Sequence, residues 1–258
     1  MERRLAGTPV VYSDDGAGPP VVLVHGLNGT ADEWSRVADL LVAAGRRVVV
    51  PNLRGRAPSG PQGEGYDLSV DVGDLRALVA EVGPGVTLLG HSLGGLMVLL
   101  AASGLAGMGR LVLYDATLPV YRPERARALP GIAALLAAGD RDGALAAFLA
   151  GSNGMPAAEV DALRARPEWA RLRELIPATY QQAVAVSRVA RDGGLDLAPY
   201  RDFRVPTDVV VGERSGRFHA HADTIAAAIP GARRHVLPGQ GHTAHRRAPE
   251  MLADILLD

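Results

Sequence analysis

Short runs of apolar residues alternate with amphipathic stretches through much of the chain. Runs such as 20–24, 47–50 and 86–89 lack polar alternation, which is typical of parallel strands buried on both faces. This alternation predicts an α/β fold with a mostly parallel central sheet flanked by helices. The predicted strands are 10–12, 20–24, 47–50, 86–89, 111–114, 207–211 and 234–237, and the predicted helices are 31–44, 69–82, 93–102, 220–229 and 249–257.

The pattern changes between residues 118 and 204. This segment has no β-branched run, is rich in Ala, Leu and Arg, and contains seven prolines. It therefore predicts several short helices, inserted into the framework because strand-like segments lie on both sides. The predicted organisation is a first part of the core at 1–117, a helical insertion at 118–204 and a second part of the core at 205–258.

Composition removes several kinds of chemistry. All 27 basic residues are arginine, and cysteine is absent. Without lysine there is no Schiff-base lysine, pyridoxal phosphate anchor or P-loop lysine. Without cysteine there is no disulfide, thiol nucleophile or cysteine-ligated metal. The formal charge of −1 provides no basic field, so no nucleic-acid partner is expected.

The sequence shows no candidate membrane or targeting segment. Its longest apolar runs are interrupted by Gly or Arg, and residues 1–5 lead into Gly-Thr-Pro rather than an apolar stretch. We therefore expect a cytoplasmic protein with no membrane partner. No sequence feature specifies an oligomeric state.

The strongest chemical motif is Gly90-His91-Ser92-Leu93-Gly94, between a predicted strand and a predicted helix. A serine in such a turn is held in a strained conformation, with its Oγ exposed at the carboxyl edge of the sheet. The flanking glycines leave room for the neighbouring strand and helix. The N–H of Leu93, at the start of the helix, can donate to a developing oxyanion. Ser92 is therefore the candidate nucleophile.

With this motif, the chain resembles the α/β-hydrolase family over essentially its whole length. The segment 24–27 (Val-His-Gly-Leu) is similar to the family's oxyanion loop, which implies the Leu27 N–H as a second oxyanion donor. The segment 52–56 stands where the family has D-x-R-G-x-G, although Asn52 replaces the usual Asp. The insertion corresponds to the family's helical cap. The resemblance implies an α/β-hydrolase fold with no cofactor and no metal.

A serine hydroxyl needs a base within hydrogen-bond reach. Gln240-Gly241-His242 matches the position of the family's catalytic histidine, so His242 is the candidate base, with His245 as a less favoured alternative. The pair His219 and His221 is interpreted as a solvated helix start rather than a metal site.

The catalytic acid departs from the family pattern, because Ser215 stands where the acid is usual. Asp115, at the end of the strand 111–114, is the favoured candidate. Glu213, in the usual loop but early, is the alternative acid, and a dyad without an acid is the third possibility. The acid would orient the imidazole and stabilise its charged form.

Two residues near the motif are candidates for the substrate pocket. Trp34 follows the oxyanion loop and Met97 lies on the elbow helix, and core packing is the alternative role for both.

These features predict acyl transfer through an acyl-Ser92 intermediate. The favoured function is a serine hydrolase that cleaves a carboxylic ester, lactone or thioester of a small molecule. The alternatives are a biosynthetic tailoring enzyme (cyclisation, lyase or chain release), a cofactor-free perhydrolase and, less favoured, a ligand receptor. A receptor would need neither Ser92 nor His242.

Overall fold

The computed structural model describes residues 1–258, and a single eight-stranded sheet organises it. The strand order is β1-β2-β4-β3-β5-β6-β7-β8. Strands β3 to β8 are parallel to one another, while β2 runs antiparallel to its neighbours β1 and β4. The strands are β1 (Glu2–Arg4), β2 (Val11–Asp15), β3 (Pro20–Val24), β4 (Arg47–Asn52), β5 (Thr87–His91), β6 (Arg110–Tyr114), β7 (Thr207–Gly212) and β8 (Arg233–Leu237).

The predicted α/β fold with a mostly parallel sheet is confirmed. The one strand that the sequence pattern missed is β1, whose three residues are all exposed. An edge strand that buries nothing carries no hydrophobic pattern, so periodicity has no means of detecting it.

The sheet buries both faces, as its uninterrupted apolar strands require. Because side chains alternate along a strand, Val21 and Leu23 point to one face while Val22 and Val24 point to the other, and all four are buried. The first face joins helices α1 and α10 in a core that includes Val37, Leu41, Val48, Val50, Leu89, Val112, Tyr114, Val210, Leu252 and Leu256.

Parallel register places the carboxyl ends of three strands side by side. His91 of β5 pairs with Tyr114 of β6, and Tyr114 pairs with Val210 of β7. The residues that follow these strands, including Ser92 and Asp115, therefore meet at one edge of the sheet. This register positions the candidate site.

The helices near the sheet follow the predicted pattern closely, except for α9, a single turn that the sequence pattern did not predict. They are α1 (Ser35–Ala43), α2 (Leu68–Val82), α3 (Leu93–Ala102), α8 (Phe218–Ala228), α9 (Ala244–Arg247) and α10 (Pro249–Leu257). The predicted helix 31–44 begins instead with a 3₁₀ turn at Ala31–Trp34, and Gly45 ends it with a positive φ of 78°.

The chain divides into two compact units. The sheet unit comprises Met1–Gly60, Ser69–Leu118 and Asp196–Asp258, and the helical unit comprises Pro61–Leu68 and Pro119–Leu195. Within the helical unit lie α4 (Pro123–Ala137), α5 (Arg141–Ala147), a π-helical turn at Phe148–Ser152, α6 (Ala157–Arg164) and α7 (Glu168–Arg191).

The expectation of only short helices in this segment is wrong. Helix α7 has 24 residues and continues through Pro177, and α4 continues through Pro130. A proline inside a helix removes one backbone hydrogen bond and costs about 3 kcal/mol. Burial of the apolar face of α7, which includes Leu175, Ile176 and Val186, offsets that cost. None of the helices of the protein has the length and apolar character that crossing a bilayer requires.

Candidate active site

Ser92 lies in the sharp turn between β5 and α3, with φ 55° and ψ −116°. Asp115, directly after β6, has φ 43°, and these two are the non-glycine residues with positive φ. Each such conformation costs about 1–3 kcal/mol and is maintained by the surrounding structure. Ser92 N donates to the Tyr114 carbonyl at 3.0 Å, and Thr117 N donates to the Ser92 carbonyl at 3.0 Å. These bonds hold the two strained turns beside each other.

The glycines of the motif permit the turn by leaving space for backbone. A Cβ on Gly90 would collide with the carbonyl group of Gly94. A Cβ on Gly94 would collide with the backbone carbonyl of His25. Because the colliding atoms are backbone rather than movable side chains, both positions require glycine.

Asp115 and His242 are in direct contact, although 127 residues separate them. His242 Nδ1 lies 2.9 Å from Asp115 Oδ2. Asp115 Oδ2 also accepts a hydrogen bond from Ser215 Oγ at 2.6 Å, and Asp115 Oδ1 accepts one from Gly212 N at 3.1 Å. Asp115 is fully buried, so these donors compensate for the water that the carboxylate has lost.

Glu213, the alternative acid, is placed differently. It is exposed, and its Oε2 accepts a hydrogen bond from Gly239 N at 2.6 Å. The carboxylate of Glu213 thus caps the loop after β8, while the carboxylate of Asp115 contacts the His242 ring.

The His242 ring lies between aromatic neighbours. It stacks on Phe218, with ring centres 4.2 Å apart and an interplanar angle of 12°. The His91 ring is 4.5 Å away on centres, and His91 Nε2 lies 2.8 Å from the His242 carbonyl oxygen. His245, the less favoured base, is 99% buried, packs against Trp34 and His91, and lies 3.8 Å from Glu33.

The loop that contains Leu27 passes beside Ser92. A Cβ on Gly26 would lie 3.1 Å from the Ser92 Cβ. His25 fixes this loop, since its Nε2 accepts a hydrogen bond from Leu53 N at 3.1 Å and its Nδ1 lies 2.9 Å from the Gly26 carbonyl. The fully buried Arg56 donates to the Leu27 carbonyl.

Leu93 is the first residue of α3, so its N–H has no partner further back in the helix. The predicted oxyanion donors belong to the two segments next to Ser92: Leu27 lies in the loop after β3, and Leu93 lies in the first turn of α3. Asn52, at the end of β4, accepts a hydrogen bond from Ala31 N at 2.9 Å and so fixes the start of the 3₁₀ turn.

The two pocket candidates are buried in the sheet unit. Trp34 is 1% exposed and belongs to the core under the sheet, where its ring meets the edge of His91. Met97 is fully buried on α3.

The histidines at the start of α8 have hydrogen-bond partners. His219 Nε2 lies 3.0 Å from the Glu213 carbonyl, and His221 Nδ1 accepts from Leu118 N at 3.3 Å. No group of three or more acidic or histidine side chains converges in a metal-binding arrangement.

Burial perturbs two titratable groups at the site. Desolvation, and then the neighbouring His242 and His245, lower the pKa of His91 well below its ordinary range. Desolvation, and then the charge of Asp115, raise the pKa of Tyr114. His91 is therefore neutral and Tyr114 keeps its phenolic proton at neutral pH.

Several residues of the site carry no motif in the sequence. Tyr114, Ser215 and Phe218 all contact the base, the acid or the loop that holds them. Ser215 had one signal, because it occupies the position at which the family usually has its acid. Tyr114 and Phe218 had none, since each meets His242 or its loop only after the sheet has formed.

With this geometry established, comparison with known proteins defines the class. Residues 21–255 match the alpha/beta hydrolase family. The chain belongs to this family.

Individual relatives agree on the fold and differ in named activity. An alpha/beta hydrolase from Sphaerobacter thermophilus DSM 20745 is 28% identical, with a TM-score of 0.82 over 100% of this chain and 98% of that one. A 2-succinyl-6-hydroxy-2,4-cyclohexadiene-1-carboxylate synthase from Escherichia coli (strain SE11) is 29% identical over 90% of this chain and 89% of that one. A non-heme haloperoxidase from Rhodococcus erythropolis is 34% identical over 44% of this chain.

The match spans less than half the length of that haloperoxidase, 43%. The Exiguobacterium antarcticum esterase, at 21% identity and a TM-score of 0.73, shares the fold. The family match supports an enzyme of the hydrolase type.

Proposed function

We propose that the protein is a serine hydrolase that cleaves a carboxylic ester, lactone or thioester of a small molecule. The observation that carries this proposal is the 2.9 Å contact of His242 Nδ1 with the buried carboxylate of Asp115. That contact directs Nδ1–H to the acid and leaves Nε2 as the atom that accepts a proton. A receptor would not need this arrangement next to a strained serine.

The proposed reaction has two halves. His242 Nε2 takes the proton of Ser92 Oγ as that oxygen attacks the substrate carbonyl, and Asp115 stabilises the imidazolium. The N–H groups of Leu27 and Leu93 hold the oxyanion of the tetrahedral intermediate. The intermediate collapses to an acyl-Ser92, and the leaving alcohol or thiol takes the proton from His242. Water, activated by His242, then releases the acid.

A single assay tests this function and the assignment of Asp115 as the catalytic acid. The hydrolysis of a short-chain p-nitrophenyl ester is measured with wild type, Ser92→Ala, Asp115→Asn and Glu213→Gln. We expect Ser92→Ala and Asp115→Asn each to lose activity by a factor of about 10³ or more, and Glu213→Gln to stay within about threefold of wild type. A folded wild type that turns over no ester, lactone or thioester would reject the proposal. A larger loss with Glu213→Gln than with Asp115→Asn would reassign the acid.

The synthase and the haloperoxidases among the relatives favour two alternative reactions that would use the same serine and base. In a perhydrolase, peroxide would replace water in the attack on acyl-Ser92 and release a peracid. In a tailoring enzyme, the same serine and base would serve a cyclisation, an elimination or a chain release. Peracid formation from acetate and peroxide, measured beside ester hydrolysis in the same enzyme, distinguishes the perhydrolase.

A further inference from the structure

The base loop (residues 241–244) is the last part of the connection after β8 together with the first residue of α9, and it carries His242. Tyr114 Oη donates to the Gly241 carbonyl at 2.9 Å and accepts from Ala244 N at 2.8 Å. His91 Nε2 lies 2.8 Å from the His242 carbonyl oxygen, and because a carbonyl only accepts, Nε2 carries the hydrogen. Three backbone groups of the base loop are therefore held by two side chains.

The strand register explains why these two side chains act together. His91 and Tyr114 are direct partners in the β5–β6 ladder, and their rings stack at 4.8 Å with an interplanar angle of 26°. Each comes directly before a reacting residue, His91 before Ser92 and Tyr114 before Asp115. The rings are 95% and 100% buried, so water does not compete for their hydrogen bonds.

We propose that Tyr114 and His91 form a clamp that positions His242 for proton transfer. This inference rests on the proposed function. His242 has to hold Nδ1 against Asp115 while Nε2 faces Ser92, yet it is carried by a loop with glycines at 239 and 241. Such a loop has many backbone conformations, and a displacement of about 1 Å costs about 10² in rate. The clamp selects one conformation by fixing the backbone on both sides of the imidazole.

The hydrogen bond that Tyr114 donates is maintained at neutral pH. Burial, followed by the Asp115 charge, raises the pKa of Tyr114, so its hydroxyl keeps the proton that it donates to Gly241. Because His91 precedes Ser92 and Tyr114 precedes Asp115, the two side chains also couple the backbone at Ser92 and Asp115 to the base loop. A movement of β5 or β6 would carry the base loop with it.

Tyr114→Phe tests the clamp with the least disturbance, because it removes one oxygen and keeps the ring. Tyr200→Phe is the matched control, since Tyr200 is 98% buried and its hydroxyl donates to the Leu99 carbonyl at 2.7 Å, on the other end of α3. In the p-nitrophenyl ester assay we expect Tyr114→Phe to lower kcat about tenfold or more while KM changes less than about twofold. Tyr200→Phe is expected to keep the wild-type kcat, even if its melting temperature falls by as much as that of Tyr114→Phe.

A spectroscopic readout separates the clamp from the proposed function. The His242 Nδ1 proton, hydrogen-bonded to Asp115, gives a downfield ¹H NMR signal that is assigned by its loss in His242→Gln. We expect this signal in wild type and Tyr200→Phe, and its broadening or loss in Tyr114→Phe. The signal requires no turnover, so it tests the clamp even if the wild type hydrolyses no ester.

His91→Phe provides a second variant, which keeps the stacked ring and removes the donor to His242. The same loss of kcat and of the downfield signal is expected. The clamp is overturned if Tyr114→Phe and His91→Phe retain both the wild-type kcat and the signal. It is equally overturned if Tyr200→Phe loses kcat by the same factor as Tyr114→Phe, because general destabilisation would then explain both.

Discussion

Asp115 shows how much one side chain depends on its donors. Its carboxylate is fully buried and accepts hydrogen bonds from His242, Ser215 and Gly212 at 2.9, 2.6 and 3.1 Å. Ser215 stands where an acid is usual in this family, so the chain has a hydroxyl donor at that position and the carboxylate on the neighbouring strand. The donor is therefore part of the local environment that makes Asp115 a suitable partner for His242.

Ser215→Ala is expected to weaken this environment without removing the acid. A hydrogen bond to a charged group contributes about 1.5 kcal/mol, so we expect kcat to fall about tenfold, far less than in Asp115→Asn. Ser59→Ala is the control, because Ser59 is also buried and donates to the Asn52 carbonyl at 2.7 Å, away from His242. Steady-state kinetics of the two variants with the p-nitrophenyl ester test this prediction. Equal kcat in Ser215→Ala and wild type would show that the hydrogen bonds from Gly212 and His242 are sufficient for the function of Asp115.

His91 predicts a pH dependence of stability. Burial lowers the pKa of His91 in the folded protein, so the unfolded chain binds a proton that the folded one excludes. Stability is then complete above pH of about 6.5, the ordinary value for histidine, and declines as pH falls below it by up to about 1.4 kcal/mol per unit.

Urea unfolding at several pH values between about 7.5 and 5.5 measures this contribution. His91→Gln retains an N–H donor and has no titrating ring, so its free energy of unfolding should fall less steeply with pH than that of wild type. Identical slopes in the two proteins would contradict the prediction.

At the scale of elements, the β5–α3 turn depends on glycine at two positions. Gly94→Ala places a methyl group on the His25 carbonyl, and we expect it to destabilise the fold by at least about 2 kcal/mol and to abolish activity. Gly73→Ala is the control, because Gly73 lies in α2 with open space around it. That variant should gain about 0.5–1 kcal/mol from helix propensity. Thermal unfolding compares them, and a Gly94→Ala protein as stable as wild type would refute the steric argument.

An ion cluster around one buried carboxylate joins three strands. Asp208 of β7 is fully buried and accepts hydrogen bonds from Arg110 of β6 at 2.6 Å and from Arg233 of β8 at 2.8 Å, with His235 Nε2 at 2.7 Å. Burial by itself would raise the pKa of Asp208, but the hydrogen bonds from Arg233, His235 and Arg110 outweigh it and lower the pKa. The carboxylate therefore stabilises the fold above its ordinary titration range, and that stabilisation is lost only as pH falls below about 4.

Asp208→Asn should destabilise the protein by about 3 kcal/mol at neutral pH, because it leaves Arg110, whose side chain is only 13% exposed, without its counter-charge. The matched control is Asp223→Asn, which removes an exposed carboxylate 2.7 Å from Arg234 and should cost less than about 1 kcal/mol. Chemical denaturation of both variants provides the comparison. A similar loss in the two variants would mean that burial of the Asp208 carboxylate does not add to its contribution.

At the scale of the whole molecule, the sheet determines which residues can replace one another. Residues 115 and 215 follow adjacent strands, β6 and β7, and their side chains meet at 2.6 Å. A carboxylate at either position should therefore reach His242.

The double variant Asp115→Asn with Ser215→Asp tests this equivalence. We expect it to recover at least about tenfold of the ester hydrolysis that Asp115→Asn alone has lost, since an acid again orients the imidazole. The comparison is made on kcat/KM of purified, folded proteins. A double variant no more active than the single one would show that the backbone conformation of Asp115 itself is required.

Much of the fold could be predicted because buried positions recur along the sequence with the period of the strand or helix to which they belong. The strands that bury both faces, such as β3 and β5, were found within one or two residues, as were α3 and α10. Prediction failed where burial and local sequence disagree. The exposed β1 carries no pattern, and α7 continues through Pro177 because tertiary packing outweighs a local break.

Residue type, spacing and local backbone sterics were enough to specify the class of fold, the elbow around Ser92 and the exclusion of lysine and cysteine chemistry. The acidic partner of His242, by contrast, was set by the three-dimensional arrangement of the strands. Asp115 and Glu213 are both compatible with the chain order, and the choice depends on strand register and backbone direction at the sheet edge. The hydrogen bonds of Tyr114, His91 and Ser215 were likewise set by packing between strands far apart in the chain, which no local pattern encodes.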